Sequence, residues 1–269
     1  MYIITSKTCG DKYIKIILTH DVDWPPQGPG IDHILARRDR FSEEIILKTI
    51  REGYNPYFGI SDMMDLEEKY GFRSTFFFRC KYDDGTLVDT YEEILKGLVK
   101  SGWEIGVHIN NANNLSTILW EKNVIENVLG AKVYGSRVHN LKIKIDDLPL
   151  LHQAGFKYDS SIIFNKYDID VRNTGYFDVK GIVEFPITIM DAYLFTYMNV
   201  TEDKVIDCIS RALNIGAKSK FITILWHDCS IKMKGGRMYS KILELLHSRD
   251  HLKVVRMIDA YKMILGGVI

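Results

Sequence analysis

Short apolar stretches alternate with amphipathic stretches along almost the whole chain, and this alternation restricts the folds open to it. The apolar stretches are rich in β-branched and aromatic residues, which is typical of buried strands, whereas the amphipathic stretches have the spacing of surface helices. Strands separated by helices predict a parallel sheet with crossover connections. About seven or eight such units favour a closed β/α barrel over two small domains. We therefore expect residues 1–269 to form a single α/β domain.

The individual elements follow from the same patterns. The predicted strands are residues 13–18, 74–78, 103–108, 132–137, 156–163, 181–185, 221–226 and 252–255. The predicted helices are residues 41–51, 61–70, 91–101, 114–129, 146–154, 202–215, 240–248 and 257–265. Ser42 is expected to cap the first of these helices. Residues 31–40 are charged and only weakly periodic, and the polar residues 167–180 predict a surface loop.

Composition argues against several classes of protein. Lys+Arg and Asp+Glu both number 35, so no electrostatic attraction to nucleic acid or to an anionic membrane follows. No apolar run approaches the roughly 18 residues of a membrane helix, and residues 1–5 lack the pattern of a signal peptide. The four cysteines, Cys9, Cys80, Cys208 and Cys229, are scattered, which favours free thiols in a reducing compartment. We therefore expect a cytoplasmic protein without a nucleic-acid or membrane partner.

The first apolar run ends abruptly in ionisable residues. Residues 13–18 predict a buried strand, and the sequence Thr-His-Asp-Val-Asp follows directly. If the extended conformation continues, Asp21 and Asp23 point to the same side, because strand side chains alternate. Two carboxylates held together repel each other unless a cation lies between them, so the pair suits a metal ligand beside a general base. The alternative is a polar loop in which one aspartate caps a turn or a helix.

Three further predicted strands end in residues of the same kind. These are His108, then Arg137 with His139, and His227 with Asp228. Because the carboxyl ends of parallel barrel strands share one rim, we expect these side chains to meet the aspartates. Asp23, His108 and His139 would then form a set of one carboxylate and two imidazoles, which is common for zinc and leaves a position for water. Solvated or structural roles are expected for His33, His152, His247 and His251.

Six segments, in this order, resemble those of the polysaccharide deacetylase superfamily, the NodB-homology group of carbohydrate esterases. They are THDVD at 19–23, EIGVH at 104–108, GSRVHNLK at 135–142, FKYDSS at 156–161, EFPITIMD at 184–191 and LWHD at 225–228. The Thr-His-Asp-Val-Asp form of the first motif resembles one branch of that superfamily. The resemblance implies a distorted (β/α) barrel of about seven parallel strands and the metal-dependent removal of acetyl groups from amino sugars.

The resemblance also implies catalytic roles for individual residues. Asp21 matches the general base, and Arg137 matches the arginine that holds the base in position and keeps it charged. His227 matches the general acid that protonates the leaving amine, and Asp191 is expected to orient it. Leu225 and Trp226 would wall the acetyl pocket. A backbone N–H near Tyr158 is expected to stabilise the oxyanion.

The metal site departs from the superfamily pattern. Asp23 and His108 match metal ligands, although Val22 separates two acidic residues that are usually adjacent. Four residues after His108 the chain has Ala112, where the superfamily has a second histidine. We expect His139, from the next strand, to supply the missing imidazole and a divalent ion, above all zinc, to be bound. The competing interpretation is a site with weakened or lost metal binding.

Three functions remain open from the sequence. The first is a metal-dependent hydrolase that removes acetyl groups from N-acetylated sugars or glycan precursors by a metal-activated water. The second is hydrolysis of another non-peptide C–N bond on the same fold, and the third is a catalytically inactive glycan-binding protein. A small-molecule or oligosaccharide substrate is expected. The aromatic residues Trp24, Tyr54, Tyr57 and Tyr197 lie in predicted loops and could stack on sugar rings, with ordinary loop packing as the alternative.

Overall fold

A ten-stranded sheet carries the fold of residues 12–266, the part of the chain that this computed structural model describes. Its strands are β1 (Ile14–Val22), β2 (Thr75–Phe78), β3 (Glu104–Ile109), β4 (Gly135–Val138), β5 (Tyr158–Asp159), β6 (Phe177–Val179), β7 (Ile182–Glu184), β8 (Ile187–Met190), β9 (Phe221–Leu225) and β10 (Leu252–Val255). The order of paired neighbours is β6-β7-β5-β4-β3-β2-β1-β9-β8, and β10 also pairs with β1. The pairs are parallel except β6 with β7, which confirms the predicted α/β class.

Strand β1 lies at the centre of the sheet and pairs with three strands. β9 runs along one edge, from Lys15 to Thr19. On the other edge β10 pairs with the first part of β1, and β2 pairs with the last part, from Thr19 to Val22. All of β1 is buried. The strand continues past the predicted end at Leu18, so that Asp21 lies in a regular ladder as the extended conformation requires.

Ten α-helices accompany the sheet within residues 12–266. They are α1 (Ile31–Leu35), α2 (Glu43–Glu52), α3 (Ile60–Glu68), α4 (Glu92–Lys100), α5 (Leu115–Leu129), α6 (Leu148–Gln153), α7 (Asp191–Thr196), α8 (Val205–Ile215), α9 (Tyr239–His247) and α10 (Met257–Ile264). Ser42 caps α2 as predicted, with its side chain accepting a hydrogen bond from the Ile45 amide. The helix ends at Gly53, which takes the left-handed conformation common at helix ends.

The alternation of side chains along β1 separates an outer core from an inner core. Ile16 and Leu18 belong to the largest buried cluster, which contains residues of most of the helices. Ile17 belongs to a second cluster, which joins residues of β2, β5, β7, β9, β10 and α10. Side chains from strands so far apart can meet only if the sheet curls around them. Because side chains alternate, Asp21 lies on the same inner side as Ile17, nearer the carboxyl-end rim.

The strand pairing differs from the predicted closed barrel in two places. β7 and β8 are joined through Phe185 and Pro186 but do not pair with each other, so hydrogen bonds between the described strands do not complete the ring. The predicted loop at 167–180 contains β6, which forms an antiparallel hairpin with β7. Lys180 and Gly181 form its two-residue turn, and both have positive φ, as a type I′ turn requires.

The structure bears on two predictions that were made from composition, the state of the cysteines and the lack of a membrane helix. Cys80, Cys208 and Cys229 are free thiols, as predicted. Cys9 and residues 1–5, where no signal peptide was expected, lie outside the described residues. Between residues 12 and 266, no helix combines the length and apolar character needed to cross a membrane.

A buried ion pair lies behind the end of β1. His20 Nδ1 donates a hydrogen bond to the Trp226 carbonyl at 2.7 Å, and Nε2 lies 2.7 Å from Glu67 Oε1. Because both ring nitrogens face acceptors, the pattern is that of an imidazolium paired with a carboxylate. Glu67 accepts three further hydrogen bonds, from Trp103 Nε1, Ser74 Oγ and the Tyr239 hydroxyl. Burial raises the pKa of Glu67, but the hydrogen bond and charge of His20 outweigh it, and the pKa falls below its ordinary value.

Replacing Glu67 with glutamine is expected to lower the free energy of unfolding by about 3 kcal/mol or more, because His20 loses its buried counter-charge. Glu68→Gln is the matched control, since its side chain is 61% exposed in a surface pair with Arg73, and about 1 kcal/mol or less is expected. Urea unfolding at pH 7 measures both. Because the folded pKa of Glu67 is lowered, its contribution is complete above the ordinary glutamate pKa of about 4.3 and is lost as the pH falls through the folded value. Equal losses in the two variants would contradict this role.

Candidate metal and catalytic centre

The carboxyl ends of five strands meet at one rim of the barrel. The strands are β1, β3, β4, β8 and β9, and the sheet order places β2 between β1 and β3. At or just beyond these ends stand Asp21, Asp23, His108, Arg137, His139, Asp191 and His227. The structure thus brings together all seven residues that the sequence singled out for the site.

Asp23, His108 and His139 form a donor triangle. Asp23 Oδ1 lies 3.2 Å from His108 Nε2 and 3.3 Å from His139 Nδ1, and the two ring nitrogens lie 3.1 Å apart. Three ligands held tetrahedrally around zinc at about 2.0–2.1 Å would lie about 3.3–3.4 Å from one another. Asp23 Oδ1 is also buried without a hydrogen-bond partner among residues 12–266, which is unusual for a carboxylate oxygen. These donors therefore fit a divalent metal ion.

A hydrogen bond behind His108 determines which ring nitrogen faces the triangle. His108 Nδ1 lies 3.0 Å from the Arg137 carbonyl oxygen, which can only accept, so Nδ1 carries the proton. Nε2 then presents a lone pair to the triangle, as a metal-binding imidazole must. Burial raises the pKa of Asp23, but the neighbouring His108 and His139 rings lower it well below its ordinary value. The carboxylate is therefore charged and available as a ligand.

Position 112 does not belong to this triangle. Ala112 is buried in the outer core, where its methyl group packs in the largest apolar cluster. The loop is held in that position by Glu121, which accepts hydrogen bonds from the amides of Asn110 at 2.7 Å and Asn111 at 3.1 Å. His139 reaches the triangle from the neighbouring strand, and the expected adjacency of β3 and β4 is confirmed by their pairing. The geometry therefore agrees with replacement of the missing histidine by His139.

Asp21 is held by a fully buried arginine. Arg137 Nη1 donates to Asp21 Oδ1 at 2.9 Å and to Thr19 Oγ1 at 3.0 Å, while Nε and Nη2 donate to the carbonyl and hydroxyl oxygens of Ser160. The guanidinium also lies 4.6 Å from the centre of the Phe77 ring. Burial raises the pKa of Asp21, but the charge of Arg137, helped by two nearby histidines, lowers it below its ordinary value. Asp21 is therefore ionised near neutral pH.

His227 faces both aspartates and is oriented by a third carboxylate. Its Nδ1 lies 2.6 Å from Asp191 Oδ1, and its amide donates to Asp191 Oδ2 at 2.9 Å. Its Nε2 lies 3.7 Å from Asp23 Oδ2 and 4.0 Å from Asp21 Oδ2. Burial lowers the pKa of His227, but Asp191 first, and then the other two aspartates, raise it to about 10. The ring is thus poised as a proton donor, and a cation bound at Asp23 would offset part of this increase.

A cavity of about 570 Å³ opens at the centre. Its lining includes Asp23, Asp191 and His227 together with apolar side chains such as Phe195 and Met233. The remaining lining residues are Trp24, His33, Arg37, Asp39, Arg40, Tyr57, Ala192, Thr196, Cys229, Ser230, Lys234 and Gly236. The size and mixed lining are typical of a small-molecule site.

Two of the four predicted stacking residues lie at this cavity. Trp24 and Tyr57 line it, with ring centres 5.5 Å apart. His33 packs edge-on against both rings, which agrees with the structural role expected for it, and it also lines the cavity. Tyr54 instead lies under the Lys48 ammonium group, and Tyr197 packs against other tyrosines outside the cavity.

The structure gives less support to the acetyl pocket expected at Leu225 and Trp226 and to the oxyanion-binding amide expected near Tyr158. Trp226 is buried in the outer core, where its Nε1 donates to the Gly236 carbonyl at 3.0 Å, and neither Trp226 nor Leu225 lines the cavity. The amides around Tyr158 already have acceptors, because Tyr158, Ser160 and Ser161 donate to Tyr134 O, Ser136 O and Glu184 Oε1. Asp228, predicted at the same rim, points instead to the Gly59 amide, and burial raises its pKa to about 8.

The sequence analysis did not identify two kinds of residue at the site: uncharged residues that hold Arg137, and basic residues from distant parts of the chain that line the cavity. Thr19 and Ser160 hold Arg137 but carry no charge that would single them out, although Ser160 lies in one of the resembling segments. Arg37 and Arg40 line the cavity, and the charged composition of residues 31–40 was the available signal. Lys234 joins them only through the tertiary fold.

The fold and the rim together define a β/α-barrel protein with an Asp/His/His donor set. No protein-family model and no curated protein sequence matches the chain. Among solved structures, it is similar to a protein described as a polysaccharide deacetylase from Mycobacterium smegmatis, at 17% identity and a TM-score of 0.67 over 97% of this chain and 93% of that one. It is also similar to a protein described in the same way from Pseudomonas aeruginosa, at 15% identity and a TM-score of 0.64 over 97% of this chain and 94% of that one.

A third similar structure is a CE4 family pseudoenzyme from Bacillus anthracis, at 13% identity and a TM-score of 0.53 over 93% of this chain and 66% of that one. At these identities the likeness establishes the fold. This chain therefore has the polysaccharide deacetylase fold, and the resemblance predicted from its six segments is confirmed at that level.

Proposed function

We propose that this protein is a metal-dependent hydrolase that removes acetyl groups from N-acetylated sugars. One observation carries the proposal: Asp21, kept ionised by Arg137, lies 3.7 Å from His108 at the edge of the donor triangle. A base and a cation site at this separation suit the attack of water on an amide carbonyl. The description of the similar structures as polysaccharide deacetylases supports the same reaction class.

Asp23, His108 and His139 would hold the ion, and zinc suits one carboxylate and two imidazoles. When bound, a divalent ion acts as a Lewis acid on the carbonyl group and lowers the pKa of water. Asp23 is 22% exposed at its side chain and faces the cavity, so the ion would be accessible to substrate.

The chain's own residues then divide the proton transfers. Asp21 Oδ1 is engaged by Arg137, which leaves Oδ2 to take a proton from the water that attacks the acetyl carbon. His227 Nε2 donates a proton to the sugar nitrogen as the C–N bond breaks, and the products are acetate and a free amine. Asp191 positions His227 by holding Nδ1. Base and acid therefore come from separate groups with opposite initial protonation.

Two alternatives use the same site. Hydrolysis of another non-peptide C–N bond requires the same base, acid and cation, and it would differ only in the substrate that the cavity admits. An inactive glycan-binding protein is supported by the alanine at position 112 and by the similarity to a pseudoenzyme. It is disfavoured because Asp21 keeps its arginine and His227 keeps its aspartate, each through direct hydrogen bonds.

Release of acetate tests the proposal. The purified protein is stripped with a chelator, reloaded with zinc and assayed on neutral and phosphorylated N-acetylglucosamine and on chitooligosaccharides. We expect acetate release that disappears on stripping and returns with zinc. Acetate release that is unaffected by stripping would contradict metal dependence. Zinc and sugar binding without acetate from any substrate would favour the inactive binding protein.

A further inference from the structure

Part of the lining of the cavity is basic. Arg37, Arg40 and Lys234 form this part, and we call these three residues the basic end. None of them forms an ion pair with a carboxylate within residues 12–266. Asp39 also lines the cavity, so these four residues carry a formal charge of +2, from three positive charges and one negative charge.

Two distant segments of the chain build the basic end. The Lys234 amide donates to the Arg40 carbonyl at 2.6 Å, and Lys234 Nζ donates to the Asp39 carbonyl at 2.8 Å. Arg37 is half-buried, and its Nη1 makes only a long contact of 3.4 Å with the His33 carbonyl. The loop after β9 is thus tied to the turn after α1, and the tie keeps three basic residues at one cavity. An anion in the cavity would be attracted by their charges.

Burial, followed by the charges of Arg37 and Arg40, lowers the pKa of His33, an aromatic residue that lines the cavity. The imidazole is therefore neutral at pH 7, and it adds no charge to the basic end. It packs instead with Trp24 and Tyr57, which also line the cavity.

One cavity therefore offers three environments: a catalytic end, an aromatic wall and a basic end. A neutral polysaccharide would match the first two and offer the cations no counter-charge. A phosphate group carries about −1.5 to −2 charges at pH 7, which matches the formal charge of +2. Arginine forks bind phosphate oxygens in pairs, and lysine adds a point charge.

We propose that the substrate is an N-acetylated amino sugar that carries a phosphate group. The basic end binds the phosphate, Trp24 and Tyr57 contact the sugar, and the acetamido group reaches Asp23 and His227, which line the cavity beside Asp21. This assignment rests on the proposed deacetylase function. It also requires the phosphate and the acetamido group to fit within one cavity of about 570 Å³.

The test measures affinity and turnover for matched sugars on the zinc-loaded protein. The probes are N-acetylglucosamine, its 1-phosphate and its 6-phosphate, and the uridine-diphosphate conjugate as a phosphodiester arm. We expect at least one phosphorylated sugar to bind about 100-fold more tightly than the neutral sugar, since charge-assisted hydrogen bonds are strong. The preferred probe shows whether a terminal phosphate or a diphosphate linkage is accepted.

The double variant Arg37→Gln, Arg40→Gln is expected to lose this preference and to keep the affinity for the neutral sugar. Arg38→Gln is the matched control, because Arg38 is exposed and does not line the cavity. We expect it to keep the preference, and thermal unfolding verifies that each variant is folded.

Two binding results would overturn the proposal. One is equal affinity of the wild-type protein for neutral and phosphorylated sugars. The other is a loss of preference in Arg38→Gln as large as in the double variant. That result would show that the preference depends on the overall charge of the protein and not on the basic end. Failure of the proposed function is distinguishable, because it would leave the binding preference intact while no sugar released acetate. Equal kcat/KM for neutral and phosphorylated sugars would instead retain deacetylation and reject the phosphate subsite.

Discussion

Asp21→Asn is expected to lower kcat/KM for acetate release by about 10³-fold or more, because general-base catalysis contributes about 10²–10⁴-fold and the variant has no carboxylate to accept the proton. The asparagine side chain has nearly the same shape, and its oxygen can still accept the hydrogen bond from Arg137. The metal content should be unchanged, since Asp21 is not part of the donor triangle. Steady-state kinetics and elemental analysis of the same preparation measure the two quantities.

The controls for Asp21→Asn separate chemistry from folding. Loss of the charge beside the buried Arg137 will lower stability, so the assay must be made well below the unfolding temperature of the variant. Asp32→Asn, on the exposed first turn of α1, is the matched surface control and should keep full activity. Retention of kcat/KM within tenfold in the folded, zinc-loaded Asp21 variant would contradict the assignment of the base.

His139→Ala is expected to weaken zinc binding by about 100-fold or more, because it removes one of three protein ligands and leaves Asp23 and His108 alone. The affinity is measured by competition with a chromogenic chelator, and the zinc content by elemental analysis. His251→Ala, an exposed position, is the matched control and should bind zinc as the wild type does. Unchanged zinc content in His139→Ala would contradict its place among the ligands.

A second variant addresses the missing histidine directly. Ala112→His in the His139→Ala background is not expected to restore zinc, because position 112 faces the outer core and its loop is fixed by Glu121. The larger side chain should also lower stability through overpacking. Recovery of zinc in the double variant would mean that this loop can rearrange to present a ligand.

The alternation of strands and helices could be predicted because it depends on local patterns of apolar residues. The elements that were missed have weak local signals. β8 and α7 follow Pro186 closely, and α7 has only six residues, with Tyr193 and Phe195 of modest helix propensity. The β6–β7 hairpin turns at Lys180, which is not a residue that favours positive φ. Sheet closure depends on pairing between distant strands, and no local pattern encodes it.

The centre was predictable to the extent that ionisable residues mark strand ends. Asp21, His108 and His227 follow apolar runs, and a parallel sheet brings such ends to one rim. The cavity was not predictable, because its walls come from α1, α7 and loops whose relative positions depend on tertiary contacts. For example, the Lys234 amide donates a hydrogen bond to the Arg40 carbonyl, and no sequence pattern predicts this contact.

The central position of β1 has a consequence for biosynthesis. Asp21 is bonded to Arg137, 116 residues later, and His20 is bonded to the Trp226 carbonyl, 206 residues later. Contacts of such long range form late and make folding slow. The proposed acid, His227, is the last of the seven site residues to be added, so the site cannot assemble until residue 227 has been synthesised.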